Sequence, residues 1–269
     1  GIVRNMQNQP ISGATVTCEN VTATTNATGA YSMTVLAGTH TVTATHPNYQ
    51  SVSQTGVIVV TGETTTVNFQ LPPTANIFTD DFESYADFTL TFAPWTLVDV
   101  DQSGTYGIQG YSWENIYAPQ AFIIFNPTTT SPALTTFAAH GGNKLAACFA
   151  ATTAPNNDWM ITPQLTHPNS IKFWARSYVS DYGLERFKVG ISTDTNPANF
   201  TIISGPNYIE APVDWTEFTY QITNTGNFYI GIQCLSNDAF IFCVDDVTVT
   251  GGDANDPEVP VVATALHNN

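Results

Sequence analysis

Basic residues are nearly missing from this chain. Six lysines and arginines stand against 22 acids in 269 residues, for a net charge of −16. A surface this poor in cations cannot neutralise phosphates, which excludes nucleic acid as a partner and disfavours an anionic membrane surface. Charge of either sign is scarce, at 10% of residues against roughly 25% in an average soluble protein. The acidic excess serves solubility and equally suits divalent cations. Only four cysteines occur, at 18, 148, 234 and 243, too few for a disulfide scaffold and without CxxC spacing for a metal. Cys234 and Cys243 flank an apparent hairpin, where a disulfide and two buried free thiols are both open; Cys18 is expected to be free. No run of about 18 apolar residues appears, so no transmembrane helix or membrane insertion is expected. There is no signal-peptide pattern, and the chain opens mid-pattern at Gly1-Ile2-Val3 without an initiator Met, as a piece of a longer secreted precursor would. HExxH, GxSxG, P-loop and GxGxxG patterns are all missing. The five histidines are scattered without zinc spacing, and His140 reads as a polar turn residue. Glu185 and Glu210 have no motif around them and read as exposed strand-end acids. No catalytic residues are expected, and the chain does not read as an enzyme.

What is present is apolar pattern. Hydrophobic residues make up 42% and aromatics 12%, enough for a packed core. Residues 1–72 alternate with period two at 14–18, 31–35, 40–44 and 65–69, with turns at Asn26-Ala27-Thr28-Gly29, Ala37-Gly38 and Thr61-Gly62. Short strands between such turns predict a small β-sandwich. Pro72-Pro73-Thr74 then breaks the pattern, and residues 73–75 read as a stiff linker. Beyond it, strand candidates fall at 121–125, 144–149, 159–161, 170–177, 186–192, 217–222, 227–233 and 240–249, with no helical period. So many strands predict a larger two-sheet jelly roll over residues 76–251. The fold class expected is all-β, with residues 252–269 left as a polar, then extended, tail.

Three resemblances follow. Gly1-Ile2-Val3, Pro10-Ile11-Ser12-Gly13-Ala14-Thr15-Val16, Thr25-Asn26-Ala27-Thr28-Gly29-Ala30-Tyr31 and Ala37-Gly38-Thr39-His40-Thr41-Val42 resemble the carboxypeptidase regulatory-like domain over residues 1–72. That implies a transthyretin-like sandwich serving as a non-catalytic stalk. Asp81-Phe82-Glu83-Ser84, Pro94-Trp95-Thr96, Asp99-Val100-Asp101-Gln102-Ser103-Gly104, Gly142-Asn143-Lys144, Asn157-Asp158-Trp159-Met160-Ile161-Thr162-Pro163, Phe173-Trp174-Ala175-Arg176-Ser177 and Val244-Asp245-Asp246-Val247 resemble the cleaved-adhesin, or choice-of-anchor J, family. That implies a jelly roll related in shape to MAM domains, extracellular binding and bound Ca2+. The tail from Val259 to Asn269 resembles the lead-in to a C-terminal sorting domain of type IX secretion, its diagnostic continuation lying outside the chain.

Two acidic stretches are candidate calcium sites. If the first and last strands of residues 76–251 lie side by side, Asp81 (or Asp80) and Glu83 approach the Asp245-Asp246 pair. Asp81 and Glu83 are two apart and expected on one strand face, whereas Asp245 and Asp246 are expected to point opposite ways. The resemblance favours Asp246 and adds Asn143 at the Gly142-Asn143 turn. The second site is Asp99-x-Asp101-x-Ser103-Gly104-Thr105, the first half of a calcium loop, with Glu114 a candidate for the missing bidentate acid. Both also read as solvated acids or Asx turns. Trp159 and Trp174 are expected in the core, and Trp113 is the tryptophan expected to contact a ligand such as a glycan. The function expected is a calcium-stabilised adhesin or binding module, secreted or at the cell surface, whose partner is a glycan, an extracellular protein or another copy of itself. The alternatives are an accessory region of a secreted peptidase or glycosidase, and a self-assembling surface-layer or filament subunit.

Overall fold

The computed structural model describes residues 1–251 apart from 7, 48, 73 and 225. The tail thought to lead to a sorting domain lies outside the described residues. The chain divides into two compact units, Gly1–Ala75 and Asn76–Thr250, and both are almost wholly β.

The first unit carries β1 (Val3–Asn5), β2 (Thr15–Cys18), β3 (Val21–Thr24), β4 (Gly38–His46), β5 (Tyr49–Val59) and β6 (Phe69–Leu71). A four-stranded sheet in the order β3-β2-β4-β5 accompanies a parallel β1-β6 pair. Val3, Val16, Val42, Ala44, Phe69 and Leu71, inward residues of these strands, form the core. Two expected strands do not form: residues 31–37 and 63–68 are outside any strand. Their alternation does report a dry face, since Tyr31, Met33 and Val35 pack against the core.

The second unit continues with β7 (Ala75–Asp80), β8 (Thr96–Asp99), β9 (Ile123–Phe125), β10 (Leu145–Phe149), β11 (Asp158–Ile161), β12 (Leu165–Thr166), β13 (Pro168–Ser177), β14 (Glu185–Ser192), β15 (Thr201–Ile202), β16 (Ile209–Ala211), β17 (Thr216–Gln221), β18 (Asn227–Cys234) and β19 (Ile241–Gly251). One sheet runs β17-β13-β19-β10-β9, with β7 beside β19. The other runs β15-β14-β18-β11-β8, with β12 on β18 and β16 on β14. First and last strands are therefore neighbours, as the acidic stretches suggested. The sheets meet face to face through aromatic rings: Phe187 of β14 lies 5.8 Å from Phe173 of β13 and 5.3 Å from Phe242 of β19.

The β9-β10-β19 part of the first sheet is buried on both faces. Every residue of β9 and β10 is buried, which is why these stretches read as unbroken apolar runs. The outer face packs Ile123, Phe125, Leu145, Ala147, Phe149 and Cys243 beneath Phe88, Trp113 and Phe137 from the long loops. All four cysteines are free and buried. Cys234 and Cys243 do not face each other across a hairpin. The chain crosses between the sheets after β18, and Cys243 belongs to the outer cluster.

Candidate metal centre

The first acidic site forms around a turn, with a geometry that strand alternation does not give. β7 ends at Asp80, and Phe82 has φ +59°. A left-handed residue breaks the two-residue period. Asp81 is exposed and accepts a hydrogen bond from Glu83 N at 3.2 Å, closing its own turn. Glu83 Oε1 instead accepts from Asn143 N (2.8 Å) and Lys144 N (2.6 Å). Asp246, with φ +48°, breaks the alternation of β19 in the same way. Both aspartates consequently engage one turn: Asp245 Oδ2 accepts from His140 N (2.9 Å) and Gly141 N (3.1 Å), while Asp246 Oδ2 pairs with His140 Nδ1 at 2.5 Å. The expectation that the two point opposite ways is corrected. So is the shared face for Asp81 and Glu83. Gly142, at φ +55°, lets the turn pass close to Glu83, where an added Cβ would sit 2.4 Å from the carboxylate. Asp80 is an anchor, accepting from Tyr85 Oη (2.5 Å) and Trp95 Nε1 (2.6 Å). Glu83, Asp246 and Asn143 thus meet at residues 140–144, but as acceptors and donors within a folded turn.

The second site gathers carboxylates. Asp99 at the end of β8 is the ladder partner of Asp158 at the start of β11. Asp101 follows in the loop, and one oxygen from each of the three lies within 4.8 Å of the others. Among the described residues this is the one such group of three metal-binding side chains. Backbone amides brace the two loop acids: Gln102 N donates to Asp99 Oδ1 at 2.5 Å, Ser103 N to Asp101 Oδ1 at 2.9 Å, and Asn157 N to Asp101 Oδ2 at 2.6 Å. Asp158 is 1% exposed. Its Oδ2 accepts from Asn156 Nδ2 (2.8 Å) and Cys148 Sγ (3.4 Å), and its Oδ1 has no partner. A buried carboxylate oxygen without a partner is costly. Burial, then the charges of Asp101 and Asp99, push the Asp158 carboxyl up to about 8. Burial, with Asp101 beside it, raises that of Asp99 also. Three hard oxygen donors around a buried acid with a partnerless oxygen are the kind of group a divalent cation takes.

Ser103 lies in the same loop. Its Oγ donates to Gly104 O at 3.1 Å and accepts from Thr153 N at 3.0 Å, tying the loop to the segment after β10. Glu114, considered for the bidentate acid, is exposed and lies outside the group. The third acid of the group is Asp158. Its signal in the sequence was an acid opening the apolar stretch Asp158-Trp159-Met160-Ile161.

Trp113 does not face solvent. It packs against Phe125 at 5.2 Å and Phe149 at 5.3 Å within the outer core, so the expected ligand contact is corrected: the apolar loop that carries it covers the sheet. Trp159 is core, but Trp174 is half-buried and stacks on His140 at 3.9 Å. Glu185 is no exposed acid; it is 1% exposed and accepts from Ser236 Oγ and Phe240 N. Burial pushes its carboxyl up to about 7. Both oxygens are taken by these structural bonds.

Residues 1–72 match the family model of the carboxypeptidase regulatory-like domain. A viral protein, Structural protein 27 (isolate Australia/Victoria), is 31% identical over 112 residues, 42% of this chain and 22% of that protein. The chain thus spans about a fifth of the length of that curated relative. Among solved structures, the K2 cleaved adhesin domain of Lys-gingipain is 19% identical with a TM-score of 0.50, the match covering 64% of this chain and 98% of that one. The K3 cleaved adhesin domain of Lys-gingipain from Porphyromonas gingivalis W83 is 21% identical with a TM-score of 0.47, covering 66% and 99%. The CBM22-1 xylan-binding domain of Paenibacillus barcinonensis Xyn10C is 10% identical with a TM-score of 0.40, covering 67% and 97%. At these identities the likeness is one of fold. Residues 1–72 are similar to the carboxypeptidase regulatory-like domain, and the unit after them has the β-sandwich fold of cleaved adhesin domains.

Proposed function

We propose that the chain is a non-catalytic binding segment of a secreted or surface-displayed protein, in which the second unit is a calcium-stabilised recognition module and the first a spacer. The observation that carries this reading is the Asp99–Asp101–Asp158 group with its orphaned buried oxygen. Ca2+ held there takes the unpaired Asp158 oxygen and offsets the repulsion among three carboxylates. It ties the loop after β8 to the start of β11. Its role is structural, fixing loops at one end of the sandwich. The adhesin fold, the acidic surface and the lack of nucleophile or metal-hydrolase motifs support binding over catalysis. A partner glycan or extracellular protein fits this reading, and self-association is a further form of it.

The test is thermal melting in excess CaCl2 and in chelator. Binding to the folded state alone adds about 2.7 kcal/mol at roughly a hundredfold excess over the dissociation constant. For a unit of this size that raises the melting temperature by roughly 5–10 °C. Superimposable curves would remove the calcium reading.

A further inference from the structure

The second unit has an open cleft of about 450 Å3 whose lining includes Tyr106, Gln109, Tyr182, Asp238 and Phe240. We infer that this cleft is a glycan-binding site for a neutral oligosaccharide, an inference that rests on the binding-module reading above.

The aromatic rings are presented outward. Tyr182 is 67% exposed and Tyr106 46% exposed, and the Tyr182 ring stands edge-on to Phe240 at 6.1 Å. Exposed tyrosines offer an apolar face and a polar tip, the two features a pyranose ring presents in turn. Gln109 and Asp238 supply hydrogen-bonding groups beside the rings. The lining holds no lysine or arginine, and the chain as a whole is strongly acidic. Phosphorylated, sulfated and uronic-acid ligands therefore lack a counter-charge, and neutral sugars remain. The volume lies within the roughly 300–1,000 Å3 of small-ligand sites.

The walls are rigidly built. Ala150 accepts from Tyr106 N at 2.9 Å and donates to Phe240 O at 2.8 Å, so both aromatic walls hang on the end of β10. Tyr106 directly follows the Asp99–Thr105 loop, whose Thr105 bridges to Ala151. The loop carrying Asp238 is held by Asn156 N donating to Ser236 O at 2.9 Å, two residues before Asp158. Asp238 itself has φ +56°, a strained conformation kept at the cleft rim. Asp99 and Asp101 thus lie in the loop that runs on to Tyr106, and the segment just before Asp158 holds the Asp238 loop.

The experiment is calorimetric titration of the whole chain, with CaCl2, against cello-, xylo-, manno- and galacto-oligosaccharides, an oligogalacturonate and a tyrosine-rich peptide. Wild type, Tyr106→Ala, Tyr182→Ala and Tyr208→Ala are compared after melting confirms that each is folded. Tyr208 is exposed and outside the lining. The expected result is saturable binding of a neutral oligosaccharide, weakened at least tenfold by Tyr106→Ala and by Tyr182→Ala and unchanged by Tyr208→Ala. Oligosaccharide binding that survives both cleft variants would overturn this site while leaving the module reading intact. Binding of the peptide or the oligogalacturonate alone would overturn the neutral-glycan assignment. Silence toward every probe would overturn it too, and a calcium-dependent melt in the same samples would keep the calcium part of the module reading apart from that failure.

Discussion

At the scale of single residues, Asp158 decides the behaviour of the second unit. Burial and the charges of Asp101 and Asp99 push its folded carboxyl up to about 8, against about 3.9 for an unfolded aspartate. Between those values the folded state binds the proton more tightly than the unfolded one. Stability of the metal-free protein therefore falls as pH rises through that window and levels off above it. Asp245 and Glu185, each near 7 by burial, act in the same direction. Bound Ca2+ favours the ionised group, so the gap between calcium and chelator melting curves should widen from pH 5 to pH 8. Asp158→Asn should close that gap and flatten part of the metal-free pH slope; melting at several pH values reads both. Gly142→Ala is a second residue-level case. It places a Cβ on Glu83 from a left-handed backbone position, and should cost about 1–3 kcal/mol in denaturant unfolding. The sequence pointed to Asp99 and Asp101 because their spacing is local. Asp158 was harder to find, because its partnership is a cross-strand register.

The strands show the same division between what is local and what is not. In the second unit the eight strand candidates match β9, β10, β11, β13, β14, β17, β18 and β19 to within two residues, whereas β7, β8, β12, β15 and β16 were not among them; long apolar or alternating runs are legible, and short pairing segments are set by their neighbours. In the first unit, residues 31–35 and 65–69 alternate as strands do, yet only Phe69 enters one. Alternation reports a dry face and says nothing about which backbone lies alongside. Likewise Phe82 and Asp246 look like ordinary strand residues and are left-handed; what their neighbours bond to sets this, beyond the reach of period. Core strands should respond accordingly. Phe187 is fully buried between the sheets, against Phe173, Phe218 and Phe242. Phe187→Ala should cost about 3–5 kcal/mol by denaturant titration. Removing the exposed Tyr182 ring should leave stability within about 0.5 kcal/mol.

For the whole molecule, the two units have separate cores and, among the described residues, only the second holds the carboxylate group. Calorimetry of the full chain should therefore show one transition that moves with calcium and one that does not. A fragment of residues 1–72 should melt identically with chelator and with calcium. A calcium shift in that fragment would relocate the metal. The strand order carries a mechanical consequence as well. The strand that opens the second unit and the strand that closes it are hydrogen-bonded neighbours. Tension applied between the two ends of the unit loads that one seam before any other. While that pairing holds, little of an end-to-end load passes to the other strands, so the unit should resist up to the rupture of this one seam and then yield in a single step.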